Sequence, residues 1–190
     1  MKDIDIRTAL KRKLITRYAT DPSTRILDEL GLRHGAARID VAVVNGIIHG
    51  YELKSDYDTL QRLPSQMKIY NSVLDHITLV VGQRHINEAT DLISEWWGIT
   101  LVEPCTHDEI RFIEVRKSQE NSSQDILAVS KLLWREEALN LLEELGKAEG
   151  LRWKPRARVY EKLVEVLDQD LIRCRVRHQL RTRMNWRSAE

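Results

Sequence analysis

Leu10, Leu14 and Tyr18 recur four apart among lysines and arginines, which predicts a basic amphipathic helix from about Ile6 to Tyr18. Asp21-Pro22-Ser23 stops it, and a second short helix is expected from about Ser23 to Leu30, closed by Gly31. From Arg38 the apolar period falls to two. Arg38–Val44 and Ile47–Lys54 flank Asn45-Gly46 and read as a β-hairpin. Pro64 is placed to open a helix reaching about Leu74. Ile77–Val81, β-branched and ended by Gly82, reads as a buried strand; residues 84–95 read as helix, and Ile99–Val102 and Ile110–Val115 as further strands. A polar break from Lys117 to Gln124 follows. Beyond it a helix is expected over Ile126–Leu145, a joint over Gly146–Pro155, and a last helix over Val159–Arg183. The pattern predicts an α/β fold: a mixed sheet flanked by helices over residues 1–118, with a helical C-terminal extension over residues 119–190.

The hairpin register decides which side chains meet. A two-residue Asn45-Gly46 turn would put Asp40 and Glu52 on opposite faces. A three-residue loop Val44-Asn45-Gly46, with Gly46 left-handed in a bulge, pairs Val43 with Ile47. Arg38, Asp40, Ala42, Ile48, Gly50, Glu52 and Lys54 then share one face, with Gly50 across from Asp40. Ile39, Val41, Val43, Ile47, His49, Tyr51 and Leu53 share the other. Hydrophobic patterning favours this second register, because a one-residue slip would bury the charges.

Composition narrows the setting. The 190 residues are 42% hydrophobic and 31% charged, enough for a core and too mixed for disorder. Net charge is +1, but unevenly spread: residues 151–190 carry 11 Lys/Arg against 5 Asp/Glu, and residues 1–150 carry 19 against 24. A basic end on an acidic body points to a polyanion at that end. Two cysteines, Cys105 and Cys174, fit a reducing compartment and lack metal-site spacing. With no span-length apolar run and no signal-peptide core, a soluble cytoplasmic protein without membrane contact is expected.

Two carboxylates and an ammonium on one sheet face suit a hard divalent cation, since Mg²⁺ needs only one or two protein carboxylates and keeps several waters. On solvated sheets the same alternation also arises by chance. Asp40 followed by Glu52-Leu53-Lys54 on a hairpin resembles the core of the PD-(D/E)xK nuclease superfamily, although Ile39 stands where the motif has Pro. Gln66-Met67-Lys68-Ile69-Tyr70 resembles the Gln-x-x-x-Tyr motif of its recombination-exonuclease branch. The stretches from Glu52 to Gly82 and Leu133 to Ala138 also resemble a family of short uncharacterised bacterial proteins placed in that superfamily. The resemblance implies a restriction-endonuclease-like fold and a nuclease that hydrolyses phosphodiesters, with DNA the first expectation. Asp40, Glu52 and the Leu53 carbonyl would hold Mg²⁺ or Mn²⁺, and Lys54 would orient water. Gln66 would hold substrate or water, and Glu29, on the expected first core helix, would tune the site.

His34, His49 and His85 lack ligand spacing, and His49 falls on the core side as a structural residue. Tyr70 continues the stripe of Leu63, Met67 and Leu74 and is placed beside the nucleic acid. Arg173, Arg177 and Arg181 form one helix face, within six arginines from Arg173 to Arg187 without an intervening acid, and are expected to contact phosphates. Their other reading is a solvated helix end whose cations suit the dipole. A binding or adaptor protein without turnover on the same fold is the alternative function. Enzymes that cut both strands often pair two sites by symmetry, so a homodimer is open.

Overall fold

The computed structural model describes residues 2–105 and 109–183. Among these, six strands form one sheet in sequence order: β1 (Arg25–Leu32), β2 (Ala37–Val44), β3 (Ile48–Lys54), β4 (His76–Gly82), β5 (Gly98–Pro104) and β6 (Ile110–Arg116). β1, β2 and β3 are an antiparallel meander, β3, β4 and β5 run parallel, and β6 returns antiparallel. Parallel neighbours need crossovers. Helix α2 (Leu63–Val73) lies between β3 and β4; a 3₁₀ turn at Gln83–His85 and helix α3 (Ile86–Leu92) lie between β4 and β5. β4, with parallel neighbours on both sides, is buried from Ile77 to Gly82, as its apolar run requires.

The two faces are covered differently. Helix α1 (Asp3–Arg17) lays Ile6, Leu10 and Leu14 over Val41, Val43, Tyr51, Leu53, Val80 and Val102. The opposite face, including Ala42, Val44, Ile48, Leu79 and Ile99, shares one core with α2, α3 and four later helices. These are α4 (Ile126–Ser130), α5 (Arg135–Glu144), α6 (Arg156–Val166) and α7 (Gln169–Thr182). Ala128, Leu142, Leu163, Val176 and Leu180 bring those helices into that core, so residues 119–183 close the second face of the sheet. The mixed α/β sheet flanked by helices is therefore the architecture.

Three local expectations are corrected. The helix expected over Ser23–Leu30 is strand β1. Its apolar residues looked helical because the strand changes face at Glu29, where φ is +50°. Ile26 joins the α1 side, but Leu27, Leu30 and Leu32 all join the other, a spacing of three then two. β2 changes face opposite the same point: Val41 packs under α1 while Ile39 packs on the α2 side, with the β1–β2 register unbroken. The single helices expected over 126–145 and 159–183 are each two. Glu137 accepts the Trp134 N–H (2.7 Å) and Asp168 accepts the Asp170 N–H (2.8 Å), starting α5 and α7 afresh.

The hairpin turn differs as well. Val44 pairs with Ile48, leaving Asn45-Gly46-Ile47 as the loop. Gly46 is not left-handed; the Asn45 side chain holds the turn, its Oδ1 accepting the Ile47 N–H at 3.2 Å. This register is two residues from the expected one, so facing is preserved from Val41 to Val44, but Ile39, expected beside Val41, packs on the opposite side, and Gly50 lies across from Ala42 rather than Asp40.

Gly50 is instead where α2 comes closest to the sheet. A Cβ there would sit 2.6 Å from Leu74 Cδ1 and 3.0 Å from Ile39 Cγ1, both buried. Gly50→Ala is expected to cost about 1–3 kcal/mol through overpacking. Gly46→Ala, with no atom within 4 Å of the added carbon, is expected to leave stability nearly unchanged. Urea unfolding of both variants checks the pair, and equal midpoints would refute the close approach.

Candidate active site

Paired residues of β2 and β3 end at Val41 and Tyr51. Beyond them the strand ends line a cavity of about 500 Å³, with Ala37, Arg38 and Asp40 from one strand, Ala36 from the turn before it, and Glu52, Leu53 and Lys54 from the other. Asp40 crosses between them. Its Oδ2 accepts the Leu53 N–H at 2.8 Å, so a carboxylate takes a strand amide, and its Oδ1 accepts Arg7 Nη2 of α1 at 2.8 Å. Helix α2 supplies Ser65 and Gln66 to the same cavity, and Asp3, Arg7, Asp58 and Arg62 complete the lining.

Glu52 and Lys54 point the same way along β3, as alternation requires. The face they share is not solvated: Glu52 is 1% and Lys54 6% exposed, because α2 covers it. Their burial is compensated locally. Lys54 Nζ donates to Glu52 Oε1 (2.5 Å), Gln66 Nε2 donates to the same oxygen (3.0 Å), and the Tyr70 hydroxyl donates to Oε2 (2.7 Å). Gln66 and Tyr70, one helical turn apart, meet at 3.0 Å. Removing one partner of such a buried pair costs about 3–5 kcal/mol.

Electrostatics set Asp40 apart. Burial first, and then the charge of Glu52, push its carboxyl up to about 7, against the opposing pull of the Leu53 N–H, Arg7 and Lys54. Tyr70 is raised by burial and by Glu52, which keeps it a neutral donor. His49, buried among neighbours that disfavour a second charge, falls to about 3; it stacks on Tyr51 and bonds Thr78 Oγ1 at 2.9 Å, the structural role expected of it.

Asp40, Glu52, Leu53, Lys54 and Gln66 are thus brought to one cavity. Glu29 is not on a helix and does not line it; its carboxylate binds Arg7 and Arg38, each at 3.2 Å. Tyr70 is fully buried behind Glu52, so it positions that carboxylate rather than offering a surface to nucleic acid. Arg173, Arg177 and Arg181 lie on α7, away from the cavity lining. Arg173 binds Asp170 and Gln124; Arg177 binds Asp75, whose other oxygen accepts the Ile48 N–H. The acids that pair with Arg173 and Arg177 come from the previous turn and from another part of the chain, so the acid-free run in sequence is not an acid-free surface around these two. Arg187 lies outside the described residues. Sequence reasoning missed Arg7, whose one signal is its place on the polar side of α1, one turn after Asp3, which it also binds at 3.3 Å.

Among the described residues no group of three or more His, Cys, Asp or Glu is arranged to hold a metal. The cavity lining offers carboxylates, of Asp40 and Glu52 and also of Asp3 and Asp58, together with neutral oxygens, a set that fits Mg²⁺ or Mn²⁺ and not a thiolate- or imidazole-seeking metal. Gln66 Oε1, buried in the cavity wall, has no hydrogen-bond partner among the described residues. An acceptor left so, beside the Glu52 carboxylate and an Asp40 carboxyl that burial and Glu52 raise, fits a cation or its bound water.

The model of the family described as "Bacteriophage P4 protein cII" matches residues 2–190. "Protein cII" of Enterobacteria phage P4 is 25% identical over 146 residues, covering 77% of this chain and 54% of that protein. The chain thus spans about half the length of the curated relative it matches. No solved structure matches it.

Two outcomes follow from this arrangement. A carboxyl raised in the folded state binds protons there that the unfolded chain has released. Its contribution to stability is full below about pH 4 and lost as pH rises towards 7. The unfolding free energy of the wild type minus that of Asp40→Asn, measured without divalent cations, should therefore fall between pH 4 and 7. A flat difference would refute the shift. Arg177→Ala should cost about 2–3 kcal/mol in urea unfolding by stranding the buried Asp75 carboxylate; a loss below about 0.5 kcal/mol, usual for surface changes, would place Arg177 among solvated residues.

Proposed function

The chain belongs to the bacteriophage P4 protein cII family, and we propose that this member is a divalent-cation-dependent nuclease on a restriction-endonuclease-like fold, hydrolysing phosphodiester bonds of nucleic acid, with DNA the first substrate to test. One observation carries the reading. The hairpin brings Asp40, Glu52 and Lys54 to a single cavity, and the next helix adds Gln66 to it, in the order that the PD-(D/E)xK resemblance implies.

Asp40 and Glu52, with the Leu53 carbonyl by resemblance, are the residues that would hold Mg²⁺ or Mn²⁺. When bound, such an ion polarises a phosphoryl oxygen and makes water a better nucleophile at neutral pH. The chain's own residues do the rest. Arg7 and the Leu53 N–H fix the Asp40 carboxylate between two elements, so it need not reorganise on binding. Tyr70 and Gln66 fix Glu52 in the same way. Lys54, held at the cavity wall by Glu52, places an ammonium where charge develops on a scissile phosphate or where an attacking water needs orienting. Gln66 presents its free carbonyl oxygen to that water or to substrate.

A second reading, binding without turnover, is favoured by one feature: each oxygen of Asp40 and Glu52 already accepts from a protein donor. The two are separated by one experiment. Nucleic-acid substrates are incubated with Mg²⁺, with Mn²⁺ and with EDTA, for wild type, Glu52→Gln and Lys54→Met. Glutamine is used because alanine would strand the buried Lys54. Cleavage by wild type with metal, abolished by EDTA, is expected; each variant should lose at least about a hundredfold, the lower end for removing one electrostatic stabiliser. Glu52→Gln should also weaken Mg²⁺ binding by calorimetry, and Lys54→Met should not. Nucleic-acid binding without cleavage would establish the second reading, and full activity of Glu52→Gln would refute the first.

A further inference from the structure

A second, larger cavity of about 820 Å³ adjoins the first, sharing Arg38 with it. Its walls are cationic. The β1–β2 turn supplies His34, the loop after α4 supplies Lys131, and α5 and α6 supply Arg135 and Arg156 at their first turns. Its two carboxylates are already neutralised, Asp28 by Lys11 (2.5 Å) and Glu29 by Arg7 and Arg38. Lys131 and Arg156 have no carboxylate partner among the described residues. Together with burial, these two cations hold His34 below its ordinary value, as expected where positive charge is left uncompensated.

The rim carries the largest exposed aromatic of the described chain. Trp153 is 90% exposed, in the run Arg152-Trp153-Lys154-Pro155-Arg156. It is held there: Arg135 Nη2 donates to the carbonyls of Arg152 (2.6 Å) and Lys154 (3.3 Å), tying the loop to a residue of the cavity wall. Solvent exposure of an indole between cations costs free energy unless something covers it. An exposed indole in a run whose Lys154 and Arg156 have no carboxylate partner among the described residues is a face on which a nucleobase can stack while its phosphates are held by cations nearby in the chain. The β1–β2 turn on the cavity wall is strained, with Arg33 and His34 at φ +49° and +60°, conformations that place His34 at that wall at some energetic cost.

We propose that this cavity and its rim bind a single strand of nucleic acid, phosphates against Lys131 and Arg156 and an unpaired base on Trp153, and pass it by way of Arg38 to the cavity of Asp40 and Glu52. The inference rests on the nuclease reading for the direction of the strand, and it names an unpaired strand as the substrate class. A paired duplex would leave no base face free for the indole. A membrane surface, which also attracts basic residues and tryptophan, cannot follow the cations into a concave wall.

Binding of a fluorescent oligothymidylate is measured in EDTA at several salt concentrations, for wild type, the double variant Lys131→Gln/Arg156→Gln, and Trp153→Ala. Wild type should bind with log affinity falling linearly in log salt. The double variant, with two fewer cations on the phosphates of a single strand, should flatten that slope by about 1.4. Trp153→Ala should weaken binding about tenfold and leave the slope as it was. Trp153 and Arg156 are exposed, so these changes do not reach the core. No binding by wild type, an unchanged slope in the double variant, or full affinity in Trp153→Ala would each overturn the proposal. So would binding to phosphatidylserine vesicles in place of the oligonucleotide. Cleavage is not read here: a chain that binds as described but never cuts would retire the nuclease reading alone, and one that cuts while all three bind alike would retire this surface alone.

Discussion

The Asp40 carboxylate does the work of a strand carbonyl, and the candidate site is organised around that substitution. Where β2 would continue its ladder with β3, the Leu53 N–H goes to a side chain instead. The two strands can then part without leaving a buried amide unpaired, which would otherwise cost about 1–3 kcal/mol. Parting creates the cavity, and the same carboxylate that permits it faces the cavity. The face change of β1 and β2 at Glu29 and Asp40 belongs to the same device, because it turns Ile39 into the α2 core while Val41 stays under α1. A strand that kept strict alternation would have Ile39 on the α1 side.

Burial then dictates the neighbours. Glu52 and Lys54 are enclosed under α2, where a lone charge is expensive, so the helix that encloses them must also solvate them. Gln66 and Tyr70 meet that demand from one face of α2, and the Tyr70 hydroxyl, whose one proton Glu52 and the Arg38 carbonyl of β2 share as alternative acceptors at 2.7 and 2.8 Å, sits between the two strands. The approach is close because Gly50 has no side chain to hold α2 away. On the other side of the sheet Arg7 supplies the compensating charge for Asp40, so α1 is fixed by electrostatics at its start and by Ile6, Leu10 and Leu14 along its length. The two layers are thereby referred to one point.

How much of this was legible in sequence follows from which forces were local. Strand and helix positions from Arg38 to Val115 could be read because period and turn residues act within a few residues, and the grouping of Asp40, Glu52, Lys54 and Gln66 followed from facing and order. The hairpin loop was misplaced by one residue, which shifts the pairing by two and leaves the faces of Val41 to Val44 unchanged, since facing depends only on parity. β1 was misread because a non-glycine positive φ at Glu29 leaves no compositional mark, and the flipped strand spaces its leucines like a helix. Burial of the polar face was not legible, because it depends on a helix that lies ten or more residues downstream. Arg7 was missed for the same reason: its partner Asp40 is 33 residues away.

The basic end of the chain shows why a charge count misleads where charge accessibility does not. From Arg173 to Arg187 six arginines follow one another without an acid, yet Asp75, Glu137 and Glu144 reach three of them from other elements, and Arg173 is met by Asp170 one turn earlier. Arg183 shows the limit, with its guanidinium buried on Glu137 and over the Trp134 ring at 4.0 Å. These cations hold α7 against the body. The shorter run at Arg152–Arg156 is less conspicuous in composition, but Lys154 and Arg156 have no carboxylate partner among the described residues and lie beside an indole that nothing covers. Phosphate is attracted to charge that the fold has left uncompensated, and that criterion favours the joint between α5 and α6 as the proposed polyanion surface over Arg173, Arg175, Arg177 and Arg183, which carboxylates already meet.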